Sequence, residues 1–157
     1  MTRAREAHSP GGLTDVACAC ASARQAARVL TQLYDRHLRG AGLEAPQFAL
    51  LMALKQQGPC SQVTLGRRHG LDKTTVSRNL RWLETRGWAA SSAAADRRER
   101  LYALTPDGRR RLAAALPKWK QAQAQLRAGM TGSQWAAMFQ AFRIAGRAAR
   151  ASAPDVS

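Results

Sequence analysis

The sequence has few of the residues on which enzyme chemistry depends. Only ten acidic residues and three histidines occur among its 157 residues, and so few groups leave little room for paired acid/base catalysts. No phosphate-binding glycine loop, nucleophile elbow or His-carboxylate zinc spacing is present. We therefore expect no enzymatic activity, no cofactor and no metal site at the histidines.

Cysteines and long apolar runs are also scarce. Cys18, Cys20 and Cys60 are an odd number of thiols, which argues against a disulfide framework. No segment approaches the roughly 18–20 apolar residues that cross a bilayer, and the first residues lack the apolar region of a secretory signal. These absences predict a cytoplasmic protein with reduced thiols and no membrane partner.

Basic residues are abundant instead. There are 25 Lys and Arg residues, and the formal net charge is +15. Twelve of the basic residues, but only five acidic ones, lie in the segment Ser61–Arg111. The electrostatic field of such an excess of positive charge attracts polyanions, either nucleic acid or an anionic membrane surface. Composition alone does not choose between these two partners.

Apolar spacing and capping residues predict a series of helices. A stripe with alternating spacings of four and three runs from Val16 to His37 and indicates one long helix. Pro46 suits the first turn of a second, buried helix. Ser61 and Asp72 can cap two further helices, over 62–69 and from 73 to about 86, with a glycine-containing turn between them. This order is helix, tight turn, helix.

The second half of the chain adds a hairpin and two helices. Segments 88–92 and 100–104 have strand length and flank a polar run, which is typical of a hairpin. Thr105 and Thr131 can each cap a following helix. The predicted fold is mainly α with a small β-hairpin wing: a winged helix-turn-helix domain plus long dimerisation helices. We expect tails at 1–12 and 149–157, dimerisation helices at 13–42 and 105–148, and a DNA-binding lobe at 46–104.

Two faces distinguish the helix that begins near residue 73. Val76, Leu80 and Leu83 form its apolar stripe. Arginine can fork onto guanine, and serine, threonine and lysine can contact base edges or phosphates. The donor-rich face is therefore predicted to enter the major groove of double-stranded DNA, with the residues Lys73, Thr74, Ser77, Arg78 and Arg81.

Four segments of the sequence match a known family in order and spacing: Leu71–Leu80, Leu83–Trp88, Asp96–Arg98 and Leu104–Gly108. Through these segments the sequence resembles the MarR family of winged helix-turn-helix transcriptional regulators. The resemblance implies a homodimer that binds a pseudo-palindromic operator and represses a nearby gene. It also adds Thr75 to the recognition face. In the wing it implies that Asp96 braces Arg98, which enters the minor groove with Arg97 beside it.

One segment departs from the family pattern. The first wing strand, from Trp88 to Ala95, has none of the charged residues that follow the glycine in this family. We therefore expect the wing to contact fewer phosphates. A protein of a different class, a non-specific architectural DNA-binding protein, remains the alternative, because net positive charge alone supports binding without sequence preference.

The resemblance further implies an effector: a small aromatic anion, an oxidant or a soft metal. Arg28, Tyr34 and His37 lie on the first helix, where the family's effector pocket opens, although packing and solvation would also explain them. Cys18 and Cys20 are candidate thiol sensors, with Cys60 as a third thiol if the fold brings it close. Cys18 falls on the polar face and is expected to be the more reactive. Alternatively, Cys20 and Cys60 act only as small apolar residues.

Overall fold

The chain folds into six α-helices and three short strands in the parts that the computed structural model describes, residues 18–93 and 99–151. The helices are α1 (Ala19–Leu38), α2 (Ala45–Gln57), α3 (Gln62–His69), α4 (Lys73–Thr85), α5 (Pro106–Ala128) and α6 (Gly132–Ala151). The strands are β1 (Cys60–Ser61), β2 (Ala89–Ala93) and β3 (Arg100–Leu104). The predicted mainly α fold with a small wing is confirmed. None of these helices is long and apolar enough to cross a membrane.

The helix boundaries follow the capping residues. The Ser61 hydroxyl accepts from the Thr64 amide at 3.3 Å, and the Thr105 hydroxyl accepts from the Gly108 amide at 3.0 Å. Each contact satisfies an amide at a helix start that has no partner within the helix. At the end of α3, Gly70 adopts a φ of 61°, a left-handed conformation that glycine reaches without steric cost. The predicted helix-turn-helix therefore forms where its sequence signals lie.

The wing contains one strand more than the sequence predicted. β2 and β3 pair antiparallel with Ser91 opposite Tyr102, and β1 pairs with the other edge of β3, with Cys60 opposite Tyr102. The sheet order is β1-β3-β2. The prediction of a two-stranded hairpin missed β1 because two residues are too short to show an alternating pattern. Through β1, the start of α3 is joined directly to the wing.

The core lies between the helix-turn-helix and the helices that flank it. Leu50, Leu65, Val76, Leu80 and Leu83 are fully buried. These side chains come from α2, α3 and α4, which with the three strands form the compact unit of residues 45–104, here called the winged lobe. The apolar stripe predicted for α4 is therefore buried inside the lobe, and its polar face is turned outward.

Helix α5 packs against both the winged lobe and α1. The Trp119 ring stacks on Phe48 of α2 at 5.9 Å between centroids. Arg111 donates to the Ala41 carbonyl at 3.1 Å, and its guanidinium lies 4.6 Å from the centroid of the Trp88 ring. Leu112, Ala115 and Ala122 of α5 are buried, so this helix, predicted to belong to the dimerisation region, packs in part within the protomer.

Helix α6 and the first half of α1 remain uncovered. No residue of α6 is buried, and Phe139, Phe142 and Ile144 are 41%, 50% and 49% exposed. All of α1 from Ala19 to Val29 is exposed. Helix α6 also continues to Ala151, past the predicted boundary at 148, because an alanine-rich end favours helix. The predicted tail at 1–12, and residues 152–157 of the tail predicted at 149–157, lie outside the described residues.

Candidate nucleic-acid interface

The outward face of α4 carries the residues predicted to read DNA. Lys73, Thr74, Arg78 and Arg81 are exposed and Ser77 is half-buried, whereas Val76, Leu80 and Leu83 on the other face have no exposed area. A helix that is anchored on one side and rich in donors on the other has the form that enters a major groove. The structure therefore brings five of the predicted residues together on one surface.

The start of α4 is fixed by Asp72. Its carboxylate accepts from the Thr75 amide at 2.8 Å and from the Thr75 hydroxyl at 2.6 Å. The hydrogen bond from the Thr75 side chain, followed by the one from its backbone, lowers the pKa of Asp72 below its ordinary value. Thr75 is half-buried and its hydroxyl proton is already donated to Asp72. Its place in the predicted recognition face thus includes a capping role.

Two further side chains hold the helix-turn-helix together, and sequence reasoning did not single them out. Asn79 is 6% exposed, and its amide donates to the Thr75 carbonyl at 2.8 Å. Gln62 donates from α3 to the Lys73 carbonyl at 3.1 Å. The Gln62 bond fixes the start of α4 relative to α3, whereas the Asn79 bond lies within α4, one turn back along the helix. No motif identifies Gln62, because its bond depends on where a carbonyl of another helix lies.

A basic groove opens beside α4. It has a volume of about 480 Å³ and lies between α3, the start of α4 and β3. Arg67, Lys73 and Arg100 supply its positive charge against the acidic residue Glu99, and Val63 and Tyr102 are among its apolar walls. No motif in the sequence singles out Arg67 or Arg100. Their convergence extends the basic surface from α4 toward the wing, as a bound phosphate backbone requires.

The wing tip lies outside the described residues. Asp96, Arg97 and Arg98 fall in the gap between 93 and 99, so the minor-groove contact of Arg98 stays a prediction. The strands that lead to the tip are described, and they pair in register from Ala89 opposite Leu104 to Ala93 opposite Arg100. Ala93 and Arg100 are therefore the last directly opposed pair described before the tip.

A second, smaller cavity lies between α1, α2, α5 and the end of α3. Its volume is about 260 Å³, and its walls include Tyr34, Phe48, Met52, His69 and Trp119. The Nε2 atom of His69 is buried and has no hydrogen-bond partner among the described residues. Burial, and secondarily the charge of Arg68, lowers the pKa of His69. The ring therefore favours the neutral form, which can donate or accept one hydrogen bond there.

The three residues predicted for an effector pocket separate in the structure. Tyr34 lines this cavity, and burial raises the pKa of its hydroxyl. His37 instead pairs with Gln125 at 2.7 Å, and Arg28 is exposed on an earlier turn of α1. Neither lines the cavity of the described protomer. Sequence reasoning missed His69 and Trp119, because they reach it from α3 and α5, distant in the chain.

The thiols lie in two different environments. Cys18 and Cys20 are exposed at the start of α1, and the Arg24 guanidinium lies 3.9 Å from the Cys20 sulfur. Cys60 is buried, and burial raises the pKa of its thiol. Among residues 18–93 and 99–151, no group of three His, Cys, Asp or Glu side chains is arranged to hold a metal. Sensing by Cys18 and Cys20 stays a prediction.

Known proteins resemble this arrangement. A family model described as the MarR family matches residues 41–99. An uncharacterised HTH-type transcriptional regulator, YwoH of Bacillus subtilis (strain 168), is 29% identical over 87 residues, which cover 55% of this chain and 64% of YwoH. The match therefore spans less than two thirds of that relative's length.

Solved structures match over more of the chain. The M. tuberculosis transcriptional regulator MosR, in complex with DNA, is 36% identical, with a TM-score of 0.77 over 86% of this chain and 98% of that one. Bordetella bronchiseptica BpsR, whose DNA binding is regulated by 6-hydroxynicotinic acid, is 29% identical, with a TM-score of 0.73 over 81% and 97%. The chain belongs to the MarR family of winged helix-turn-helix transcriptional regulators, a family of DNA-binding proteins that are not enzymes.

Proposed function

We propose that the protein is a homodimeric repressor that binds a pseudo-palindromic operator through α4 and is released by a small aromatic acid. The observation that carries the proposal is the outward face of α4, where Lys73, Ser77 and Arg78 are held over a fully buried stripe. Side chains on a rigid support can discriminate base edges, because their positions are set before DNA arrives. The DNA-bound state of MosR supports the same use of the fold.

Dimerisation is supported by the uncovered helices. Phe139 and Phe142 lie one turn apart on α6, and the Trp135 ring packs edge to face on Phe139 at 5.1 Å. Val29 on α1 is 57% exposed. An apolar surface of this kind on a small protein usually marks an interaction site. A second copy is the proposed partner, because two-fold pairing would also set two α4 helices against two half-sites.

The first test is a fluorescence-anisotropy titration against DNA from upstream of the protein's own gene. A scrambled duplex of equal length is titrated beside it at one stated salt concentration, since phosphate binding depends on salt. The proposal expects the upstream DNA to bind more tightly by about 10³-fold or more. Equal binding to every duplex tested, including those recovered by a genome-wide selection, would instead identify a non-specific architectural protein.

Arg78 provides a sharper test of sequence reading. If its guanidinium forks onto a guanine, Arg78→Ala costs about 1–3 kcal/mol on the operator and relaxes the preference at one base pair. Lys120→Ala is the control, because it removes an equal charge from an exposed position on α5. If Arg78→Ala weakens all duplexes equally, Arg78 contacts only phosphate and the base-reading role is wrong.

The effector cavity suggests the ligand class. Phe48, Met52 and Trp119 give the cavity apolar walls that suit contact with an aromatic ring, and the Nε2 of His69, unpartnered among the described residues, offers a hydrogen bond to a polar substituent. The effect of 6-hydroxynicotinic acid on BpsR supports an aromatic acid as the ligand. Arg28 and His37 stay candidates for a pocket that a second protomer completes.

A displacement assay tests this assignment. A panel of aromatic acids, with 6-hydroxynicotinic acid as its first member, is titrated into the complex of protein and operator, beside cyclohexanecarboxylic acid as a non-aromatic control. His69→Leu keeps the volume but not the hydrogen bond, and we expect it to need about tenfold more of the active acid. Arg28→Ala is the matched comparison. An unchanged response in His69→Leu would exclude His69, and release by peroxide alone would favour the thiols of Cys18 and Cys20.

A further inference from the structure

Three side chains from three elements form a hydrogen-bonded chain at the base of the wing. Glu84 lies in the last turn of α4, Ser91 on β2 and Arg100 at the start of β3. The Ser91 hydroxyl donates to a Glu84 carboxylate oxygen at 2.5 Å, and the Arg100 guanidinium donates to the Ser91 hydroxyl oxygen. The serine thus stands between a carboxylate and a guanidinium, and we call the three residues the wing-base chain.

A serine suits this middle position for a chemical reason. A hydroxyl has one proton to donate and lone pairs to accept, so Ser91 can serve both neighbours at once. Because both neighbours are charged, each of the two hydrogen bonds is stronger than one between neutral groups, and each polarises the other. Replacing the hydroxyl by hydrogen, as in Ser91→Ala, removes both bonds in one step while leaving the strand backbone intact.

The strand register explains how Arg100 reaches Ser91. Arg100 is paired with Ala93, and Ser91 is paired with Tyr102, so the arginine crosses the ladder diagonally by two positions. A long side chain can span such a diagonal. The small side chain of Ala93 leaves the path open. The small, uncharged residues of the first wing strand therefore permit a contact from the neighbouring strand.

Few other groups tie the wing to α4. Among the side-chain hydrogen bonds of residues 18–93 and 99–151, the bond from Ser91 to Glu84 is the one that joins α4 to a wing strand. At the strand root, Trp88 packs on Trp82 at 5.4 Å between ring centroids, and its amide donates to the Leu83 carbonyl of α4 at 2.9 Å. These contacts hold β2 only at its root, and a directional bond further along the strand is needed to set its angle against α4. The wing-base chain supplies that second point.

We propose that Glu84 and Ser91 are positioning residues that set the wing against the recognition helix and so determine which base pairs flanking the operator core are preferred. The inference rests on the proposed operator binding. Residues on α4 read the core of the operator, whereas the wing lies over its flanks. A wing held at one angle can distinguish a narrow A·T-rich minor groove from a wider one, and a pivoting wing averages over both.

The test measures flank preference separately from core preference. Three duplexes are titrated by anisotropy at one salt concentration: the operator, the operator with its A·T flanks changed to G·C, and the operator with its core scrambled. We expect Ser91→Ala to lose about tenfold in flank discrimination, the size of a single base-pair preference, and to keep core discrimination. Ser91→Thr keeps the hydroxyl, and we expect it to keep the flank preference of the wild-type protein. Ser92→Ala, an exposed neighbour on the same strand, is the matched control.

Glu84→Ala distinguishes the effect of the wing's position from the effect of the negative charge of Glu84. Like Ser91→Ala, it breaks the wing-base chain, so we expect the same loss of flank discrimination. Unlike Ser91→Ala, it removes a negative charge near the phosphates, and it therefore binds all three duplexes more tightly with a steeper salt dependence. If Glu84 and Ser91 acted only in folding, the two variants would not share a loss of flank discrimination while Glu84→Ala alone binds DNA more tightly.

Thermal melts of each variant accompany the titrations. Unchanged flank discrimination in Ser91→Ala overturns the inference, and so does a wild-type protein that reads the core but not the flanks. Equal loss on core and flanks together with a lowered melting temperature would show that Ser91 acts only in folding, which also overturns it. If the wild-type protein does not distinguish the scrambled core, it is the proposed operator binding that fails.

Discussion

The winged lobe and helix α6 differ in where their apolar residues are covered. In the lobe, Leu65, Leu80 and Leu83 have no exposed area, because α2, α3 and α4 close on one another. In α6 no residue is buried, and Phe142 is 50% exposed. One chain therefore contains what the lobe needs to fold, whereas α6 leaves an apolar face exposed among the residues that the structure describes. Stability of the lobe and stability of the assembly should respond to different substitutions.

Gly108 should give the largest effect, and the effect should fall on the lobe. A Cβ atom at this position would lie 2.0 Å from the Trp88 carbonyl oxygen and 2.8 Å from a methyl group of Leu104. Because a backbone atom cannot move aside as a side chain can, Gly108→Ala forces α5 away from the wing root. We expect a loss of about 3 kcal/mol or more in the free energy of unfolding, measured by urea denaturation followed by tryptophan fluorescence.

The matched control is Gly132→Ala at the start of α6. A Cβ atom there would meet nothing within 4 Å, and alanine favours helix over glycine by about 0.5–1 kcal/mol. We expect this variant to be as stable as the wild-type protein or slightly more stable. A large loss in Gly132→Ala, or none in Gly108→Ala, would contradict the contrast between a closed lobe and an open helix.

The next largest effect is expected for a substitution of Phe142, and it should weaken dimerisation. If α6 packs on a second copy, Phe142→Ala removes a central aromatic contact worth about 2 kcal/mol and raises the dimer dissociation constant by about thirtyfold. Analytical ultracentrifugation across a dilution series measures that constant. Gln140→Ala alters the opposite face of the same helix and should leave it unchanged. If neither substitution changes the dimer dissociation constant, the interface lies elsewhere on the protein.

Asp72 should give the smallest of the three effects, confined to the start of α4. Its pKa is lowered by the Thr75 hydrogen bonds, so the folded protein binds this proton more weakly than the unfolded chain. The stabilisation is therefore fully present above the ordinary pKa of 3.8 and is lost as the pH falls through the lowered value. Asp72→Asn keeps a capping oxygen but should remove this part of the pH dependence.

Urea midpoints at neutral pH and at successively lower pH values measure the difference between Asp72→Asn and the wild-type protein. We expect the wild-type advantage to shrink as the carboxylate is protonated. Asp35 also caps a helix, accepting from the Ala45 amide at 2.7 Å, and Asp35→Asn is a useful comparison on α1. If the urea midpoints of Asp72→Asn and the wild-type protein change in parallel with pH, the Asp72 carboxylate does not contribute to the pH dependence of stability.

Local signals in the sequence were enough to place the helix-turn-helix. Ser61, Asp72 and Thr105 cap the helices that they were predicted to cap, because an N-cap acts through amides only three residues away. The stripe of Val76, Leu80 and Leu83 likewise fixed which face of α4 points outward. Both signals lie within one or two helical turns, so the sequence displays them without a fold.

Long-range contacts were not accessible in this way. Strand β1 exists only because Cys60 meets Tyr102 across 42 positions of chain, and the cavity proposed to bind the effector forms only where Tyr34, His69 and Trp119 converge. No periodicity connects such residues. Arg28 and His37 lie on the same helix as Tyr34, but the side chains that join Tyr34 at this cavity come from other helices.

The sequence by itself determined a mainly α, strongly basic protein with a recognition helix of known outward face, because charge, periodicity and capping act locally. Tertiary structure decided what those elements do together. It brought Glu84, Ser91 and Arg100 into one hydrogen-bonded chain, left Nε2 of His69 without a hydrogen-bond partner among the described residues, and buried Leu112 and Ala115 of α5 while leaving Phe142 of α6 exposed. These outcomes depend on distances between residues far apart in the chain, which only packing in three dimensions sets.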